Sequence, residues 1–397
     1  MRLTGRRIRQ LYIWHKWAGL LTGLFVGVLS ASGAVAVFKP EIDRLVTPAL
    51  RVRPGAQKVA LDEALAAVKR AYPGAEVGGA QFPARPDTAY TILAQQGGAS
   101  REIFVDPYTG QVTGARSGET VANVIRQLHV RFYFFGWQGR VAVGLFGLML
   151  LFSSLTGLVI YARFMRGVFA QRLRFWQIRR GQGPKLATSD WHKLVGLLAL
   201  AFNLVIGLTG AVLGLENLTR YAPGIDRAIH PRPQPGARRD GPADPAARLT
   251  AEEALKTARA ALPGLEPTGL LLPPARADYF TVYGNLAGRL ERESASFVLV
   301  GAERGEVRDR YSAAGGGAAV RAYDLSEPLH FGNFGGPGLK VAYALLGMTS
   351  GFLSVTGFML WAFKRRRRVR SGPEATGGHG RPSGERRPVA ALERTKS

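Results

Sequence analysis

Six histidines occur in the 397 residues, and four of them stand in contexts that appear twice. His15 and His192 each follow a tryptophan and precede a lysine, in Trp14-His15-Lys16 and Trp191-His192-Lys193. His129 and His330 each follow a leucine, Leu128 and Leu329. His230 and His379 have no counterpart. A neutral imidazole nitrogen is a good ligand for iron, and a haem iron accepts one imidazole on each face. Two imidazoles brought to one depth on facing helices therefore suit axial ligation. The chain has no cysteine, which removes disulfides, thiolate zinc sites, iron–sulfur ligation and covalent haem attachment. Any metal or haem must be held by His, Met or oxygen ligands. A second reading stands beside this one. Trp and Lys at a membrane boundary are ordinary anchors, and Arg131-Phe132-Tyr133-Phe134-Phe135-Gly136-Trp137, just after His129, reads equally as an aromatic girdle.

Four stretches without any charged residue must position these groups: Trp17–Phe38, Val141–Ala162, Leu194–Leu215 and Val341–Phe363. At about 1.5 Å per residue each is long enough, as a helix, to cross a hydrocarbon core of about 30 Å, and helix is the conformation that satisfies its own backbone in lipid. The first stretch reads as a retained helix rather than a cleaved leader, because Phe38-Lys39-Pro40 stands where small residues would be expected. His15 and His192 lie two residues before their spans. His129 and His330 precede theirs by about a dozen, so a straight extension would carry His129 about 18 Å past the span. A bend or an interfacial segment is expected there instead, helped in the second copy by Gly332, Gly335, Gly336 and Pro337.

The net charge is +25, and +20 of it falls in residues 1–16, 163–193 and 364–397. Basic flanks are retained in the cytoplasm. The N-terminus, the 163–193 loop and the tail are therefore expected inside, with the tail disordered and drawn to anionic lipid. No aromatic and basic module accompanies the charge, which argues against nucleic acid. Neither HExxH nor a nucleotide-binding glycine motif after a strand is present.

The chain reads as two copies. Gly19-Leu20-Leu21 matches Gly196-Leu197-Leu198, and Ser32-Gly33-Ala34-Val35 matches Thr209-Gly210-Ala211-Val212. Thr156-Gly157 lies 27 residues after His129, and Thr356-Gly357 lies 26 after His330. The segments between, 39–140 and 216–340, each open a helix, at Leu61 and at Leu249-Thr250, where Thr250 and Glu253 fit a capping box. Both helices stop at a Pro-Gly pair. Strand-like runs follow at Thr88–Gln95 and Glu102–Val105, and at Tyr279–Tyr283 and Ser296–Val300, giving two small α+β units. Pro231–Arg248 reads as an insertion. The expected architecture is an α-helical membrane protein. Spans 17–38, 141–162, 194–215 and 341–363 form a tandem twofold repeat about an axis along the membrane normal, with two external α+β domains at 39–140 and 216–340. Asn203, the one amide within a span, reads as a packing residue.

The ordered set of Trp-His-Lys starts, Leu-His pairs, Ser/Thr-Gly pairs and two α+β units resembles the PepSY-associated transmembrane family of bacterial inner-membrane proteins over nearly all of residues 10–368. The resemblance implies PepSY-like domains on the periplasmic side and both termini in the cytoplasm. Members of that family include siderophore-associated ferric reductases, so it further implies one or two b-type haems with bis-histidine ligation. By the symmetry of this sequence these would be held by His15 with His192 and by His129 with His330. Ferric siderophore would be the substrate. Some relatives carry fused flavin or nicotinamide domains, and this sequence carries none. A membrane quinol or another redox protein is therefore the expected donor. The alternative is a non-enzymatic module anchored in the membrane, whose PepSY-like units bind a peptidase or another partner.

Overall fold

The computed structural model describes residues 4–133, 135–169, 178–179, 181–221, 223–229, 249–273 and 278–370. His230, His379, the insertion at 231–248 and the tail from 371 onward lie outside the described residues. Helices α1 (Gly5–Ala36) and α2 (Lys39–Val46) lead to α3 (Leu61–Ala71) and to strands β1 (Glu76–Gln81), β2 (Tyr90–Gln96), β3 (Ala99–Val105) and β4 (Val112–Arg116). A short helix, α4 (Val121–Arg131), precedes the long α5 (Gly136–Phe169). The second half runs α6 (Pro184–Leu198), α7 (Leu200–Leu215), α8 (Pro223–Ile229), α9 (Ala251–Ala261), β5 (Leu265–Leu271), β6 (Tyr279–Leu286), β7 (Ser296–Gly301), β8 (Val307–Tyr311), α10 (Ala318–Phe331) and α11 (Gly336–Arg370).

Four helical segments, Gly5–Ala36, Gly136–Ala162, Leu200–Thr219 and Gly336–Arg365, are long and apolar enough to cross a membrane. Leu21, Leu24, Leu345 and Val355 point outward from them, as side chains solvated by lipid tails do. Lipid supplies no hydrophobic drive between helices, so close packing of small residues must hold the bundle. α5 meets α7 through Gly144, Gly147, Gly207 and Gly214, and a methyl group on Gly214 would lie 2.4 Å from the Gly144 backbone. α1 meets α11 where Ser30 Oγ donates to the Gly347 carbonyl at 2.5 Å and accepts from the Gly351 N–H at 3.0 Å. The third span is interrupted once, at Ala199, between α6 and α7.

The strands form one eight-stranded antiparallel sheet in the order β4-β3-β2-β1-β5-β6-β7-β8. Each half thus contributes a meander of four strands, and the two meanders join through Gly79–Gln81 against Gly269–Leu271. Gly79 is required at this seam, because a methyl group there would sit 2.5 Å from the Leu270 carbonyl. One core spans the seam: Leu65, Val68, Ile92 and Ile103 pack in the same cluster as Leu255, Leu270, Val282 and Val298. The two α+β units expected from sequence are therefore a single body.

Helices α3 and α9 cap each other's ends. Asp62 accepts from the Ala251 and Glu252 N–H groups, both at 2.9 Å, and Glu252 accepts from the Leu61 N–H at 3.1 Å. Both carboxylates lie at the positive ends of helix dipoles. The Thr250–Glu253 capping box is present.

α4 and α10 bring the outer histidines back onto the bundle. α4 ends with Phe132 in the left-handed region (φ 50°), α10 with Gly332 (φ 64°), and each long helix restarts at a glycine, Gly136 or Gly336. His129 and His330 therefore sit in the last turn of a short helix rather than on a prolongation of the long one.

If glycine contacts set the helix spacing, Gly214→Val will destabilise the detergent-solubilised protein by about 1–3 kcal/mol through overpacking. Gly19→Ala, at a position with nothing nearby, will leave thermal unfolding unchanged.

Candidate functional site: two facing histidine pairs

His15, on α1, and His192, on α6, face each other with ring centroids 6.4 Å apart and planes nearly perpendicular at 86°. His129, on α4, and His330, on α10, face each other at 6.1 Å with an angle of 41°. His129 rests on residues 29–33 of α1, about 17 residues beyond His15, and His330 on Thr209 and Gly210 of α7, 17 and 18 residues beyond His192. The two pairs are thus separated along the bundle by roughly 25 Å, which sets one near each end of the spans.

Each imidazole is seated on a hydroxyl residue and the glycine that follows it. His15 Nδ1 lies 3.0 Å from Thr156 Oγ1 and His192 Nδ1 lies 2.8 Å from Thr356 Oγ1, while His330 Nδ1 lies 2.9 Å from Thr209 Oγ1. His129 Nδ1 lies 3.0 Å from the Leu29 carbonyl, with Ser32 Oγ further off at 3.4 Å. The adjacent glycines make room for the ring. A methyl group would stand 2.6 Å from His129 Cε1 on Gly33, 3.0 Å from His330 Cε1 on Gly210, 3.3 Å from His15 Cε1 on Gly157 and 3.7 Å from His192 Cε1 on Gly357.

These bonds assign the tautomer. A hydroxyl has one proton. Thr156, Thr356 and Thr209 each give theirs to the carbonyl four residues back, Phe152 at 2.7 Å, Phe352 at 2.9 Å and Val205 at 2.8 Å. Each hydroxyl must then accept from the imidazole, so Nδ1 carries the hydrogen. For His129 the partner is a carbonyl, which only accepts, and the conclusion is the same. In all four rings Nε2 keeps its lone pair, and it has no hydrogen-bond partner among the described residues. A ligating histidine is oriented in this way, its second nitrogen donating to a fixed acceptor.

The separations also suit a shared ligand. A first-row metal sits about 2 Å from an imidazole nitrogen and the ring centre roughly 1 Å further, so two rings on one ion have centres about 6 Å apart. Among the described residues no group of three or more His, Asp or Glu could hold a metal. A metal here would take two protein ligands and draw its remaining donors from elsewhere, as haem iron does. Aromatic side chains fill the span between the levels: Phe25 stacks on Phe146 at 4.8 Å, and Phe202 meets Tyr343 edge to face at 5.2 Å.

Residues 12–364 match the family described as the PepSY-associated TM region. The chain belongs to this family. The paired histidines and all four hydroxyl–glycine seats fall within the matched segment of the PepSY-associated TM region. An uncharacterised protein of Pseudomonas aeruginosa is 30% identical over 258 residues, covering 58% of this chain. The chain spans 61% of the length of that relative.

Sequence reasoning left two features of the site unseen. The Ser/Thr-Gly pairs stand out as repeated dipeptides, but nothing in their spacing says that each receives a histidine from another helix. Arg126 and Glu327, each three residues before an outer histidine and so on the same helix face, form a charged layer beside that pair. Burial pushes the Glu327 carboxyl above its ordinary range and the Arg126 guanidinium below its own. Asn203 is buried and its carbonyl oxygen accepts from Ser350 Oγ at 2.8 Å, the interhelical packing role that its position suggests.

The glycine contacts rank the seats. Gly33→Ala will displace His129 and lower the thermal unfolding temperature of the purified protein by several degrees, whereas Gly357→Ala, with room for its methyl, will shift it little. Equal effects would show that the rings are not held on these glycines.

Proposed function

We propose that the chain is a bacterial inner-membrane ferric reductase that holds b-type haem between His15 and His192 and between His129 and His330. In this reading the basic flanks are cytoplasmic and the sheet is periplasmic. The halves are related by a twofold axis along the membrane normal, and that axis brings like histidines together. A membrane quinol or a redox protein is the electron donor. A ferric siderophore complex approaching beneath the sheet takes one electron per iron, iron(III) becoming iron(II).

The observation that carries this reading is the spacing of the imidazoles and the seating of each Nδ1 on an oxygen. Four Nε2 lone pairs, in two facing couples with centroids 6.1–6.4 Å apart, are what axial ligation of two irons requires. Haem supplies a one-electron couple at each level. The protein's own contribution is to orient the rings through Nδ1, to keep the glycine walls open and to exclude water with apolar helices. A purely anchoring role accounts for Trp14, Trp17 and Trp191, which are exposed. It does not account for the seating of all four Nδ1 atoms on oxygens of neighbouring helices.

Haem content of the full-length protein purified from haem-replete cells tests the proposal. His15→Ala or His192→Ala will each remove one haem, and His129→Ala or His330→Ala the other, while His230→Ala and His379→Ala keep both. Loss of haem in the last two variants but in none of the four would overturn the assignment.

A further inference from the structure

The two ends of the bundle seat their histidines differently. At the inner level both Nδ1 atoms lie on hydroxyls, Thr156 and Thr356, and the Ser153 carbonyl also comes within reach of His15. At the outer level His330 uses the Thr209 hydroxyl, whereas His129, which meets the matched position Ser32, turns instead to the Leu29 carbonyl at 3.0 Å. Ser32 Oγ at 3.4 Å is too long for a strong bond. Its proton already goes to the Val28 carbonyl at 2.7 Å. The corresponding carbonyl in the other half, Ile206, receives the Thr209 hydroxyl at 3.4 Å rather than an imidazole.

We propose that Thr156, Thr356 and Thr209 are positioning residues that fix the axial histidines as Nδ1–H donors and set their strength as ligands, and that Ser32 has no such role because a main-chain carbonyl takes its place. The inference rests on the bis-imidazole reading above. The physical basis is polarisation of the ring through its own N–H bond. An Nδ1–H held by a good acceptor shifts electron density toward Nε2, makes it a stronger donor and favours iron(III). Removing the acceptor weakens that donation, so the reduction potential of the affected centre rises and haem is held less tightly. The main-chain acceptor at Leu29 is beyond the reach of side-chain substitution. The outer centre therefore keeps one fully supported ligand whatever stands at residue 32.

Two measurements test this. In redox titrations of the full-length haem-loaded protein, Thr156→Val, Thr356→Val and Thr209→Val will each raise the midpoint potential of their own centre. Each will also weaken haem binding on the order of 10-fold. Thr→Ser at the same positions will restore both properties, and Ser32→Ala will leave both centres unchanged. Unmoved potentials in the three valine variants, or a shift in Ser32→Ala as large as in Thr209→Val, would refute the inference. The second measurement needs no haem. In ¹⁵N-histidine-labelled full-length protein from haem-deficient cells, all four paired rings will be Nδ1–H tautomers, and the valine variants will mix the tautomers of their own ring. A wild-type protein that binds no haem would overturn the proposed reductase. The nitrogen spectra would still decide whether the threonines direct the rings, and Nε2–H tautomers in the wild type would refute that too.

Discussion

The hydrogen bond from each histidine Nδ1 to a fixed oxygen on another helix is the constraint on which the rest of the site depends. An imidazole free to rotate could turn either nitrogen inward, or lie along the lipid boundary beside its tryptophan. Once Nδ1–H is committed to Thr156, Thr356, Thr209 or the Leu29 carbonyl, Nε2 is the nitrogen left available to a ligand. The threonines are held in turn by their own bonds to carbonyls one helical turn back. The seat is therefore built from two successive bonds with no freedom at the hydroxyl. Helix spacing decides whether seat and ring meet, and the glycine contacts of α5 with α7 and the serine bridge between α1 and α11 set that spacing.

The sheet contributes a second restraint. α4 and α10, which carry the outer histidines, each follow the last strand of a meander, and the two meanders share one sheet and one core. Their relative position is therefore fixed outside the bundle as well as within it. The crossed capping of α3 and α9 by Asp62 and Glu252 ties the halves together again. Had the two α+β units been independent bodies, the 6.1 Å separation of His129 and His330 would rest on the helices alone.

Much of this was legible in the sequence, for identifiable reasons. The four spans announce themselves by the absence of charge over 22 or 23 residues. The central strands β2, β3, β6 and β7 show as runs of β-branched and aromatic residues. The two strands that join the halves were not seen. β1 is Glu-Val-Gly-Gly-Ala-Gln and β5 contains Pro267 and Gly269, residues that count against a strand locally. They serve here because each strand is bulged against its neighbour in its own meander, at Val77/Gly79 and at Pro267/Gly269, and because the backbones approach closely at Gly79 across the seam. The bend before each long helix was foreseeable from Gly332 and Gly336. In the first half the same turn is made by Phe132 and Tyr133 with positive φ, which nothing in those residue types suggests. The pairing of like histidines followed from the duplication. Their seats did not, because a hydroxyl and a glycine on one helix carry no sign of the ring that another helix delivers.

The most direct test of the central claim is the coordination state of iron in the purified protein, read by electron paramagnetic resonance together with near-infrared magnetic circular dichroism. The proposed reductase predicts two low-spin ferric haems per chain, each with the charge-transfer signature of two nitrogen ligands. A high-spin, five-coordinate signal, or haem-free protein from haem-replete cells, would contradict the account.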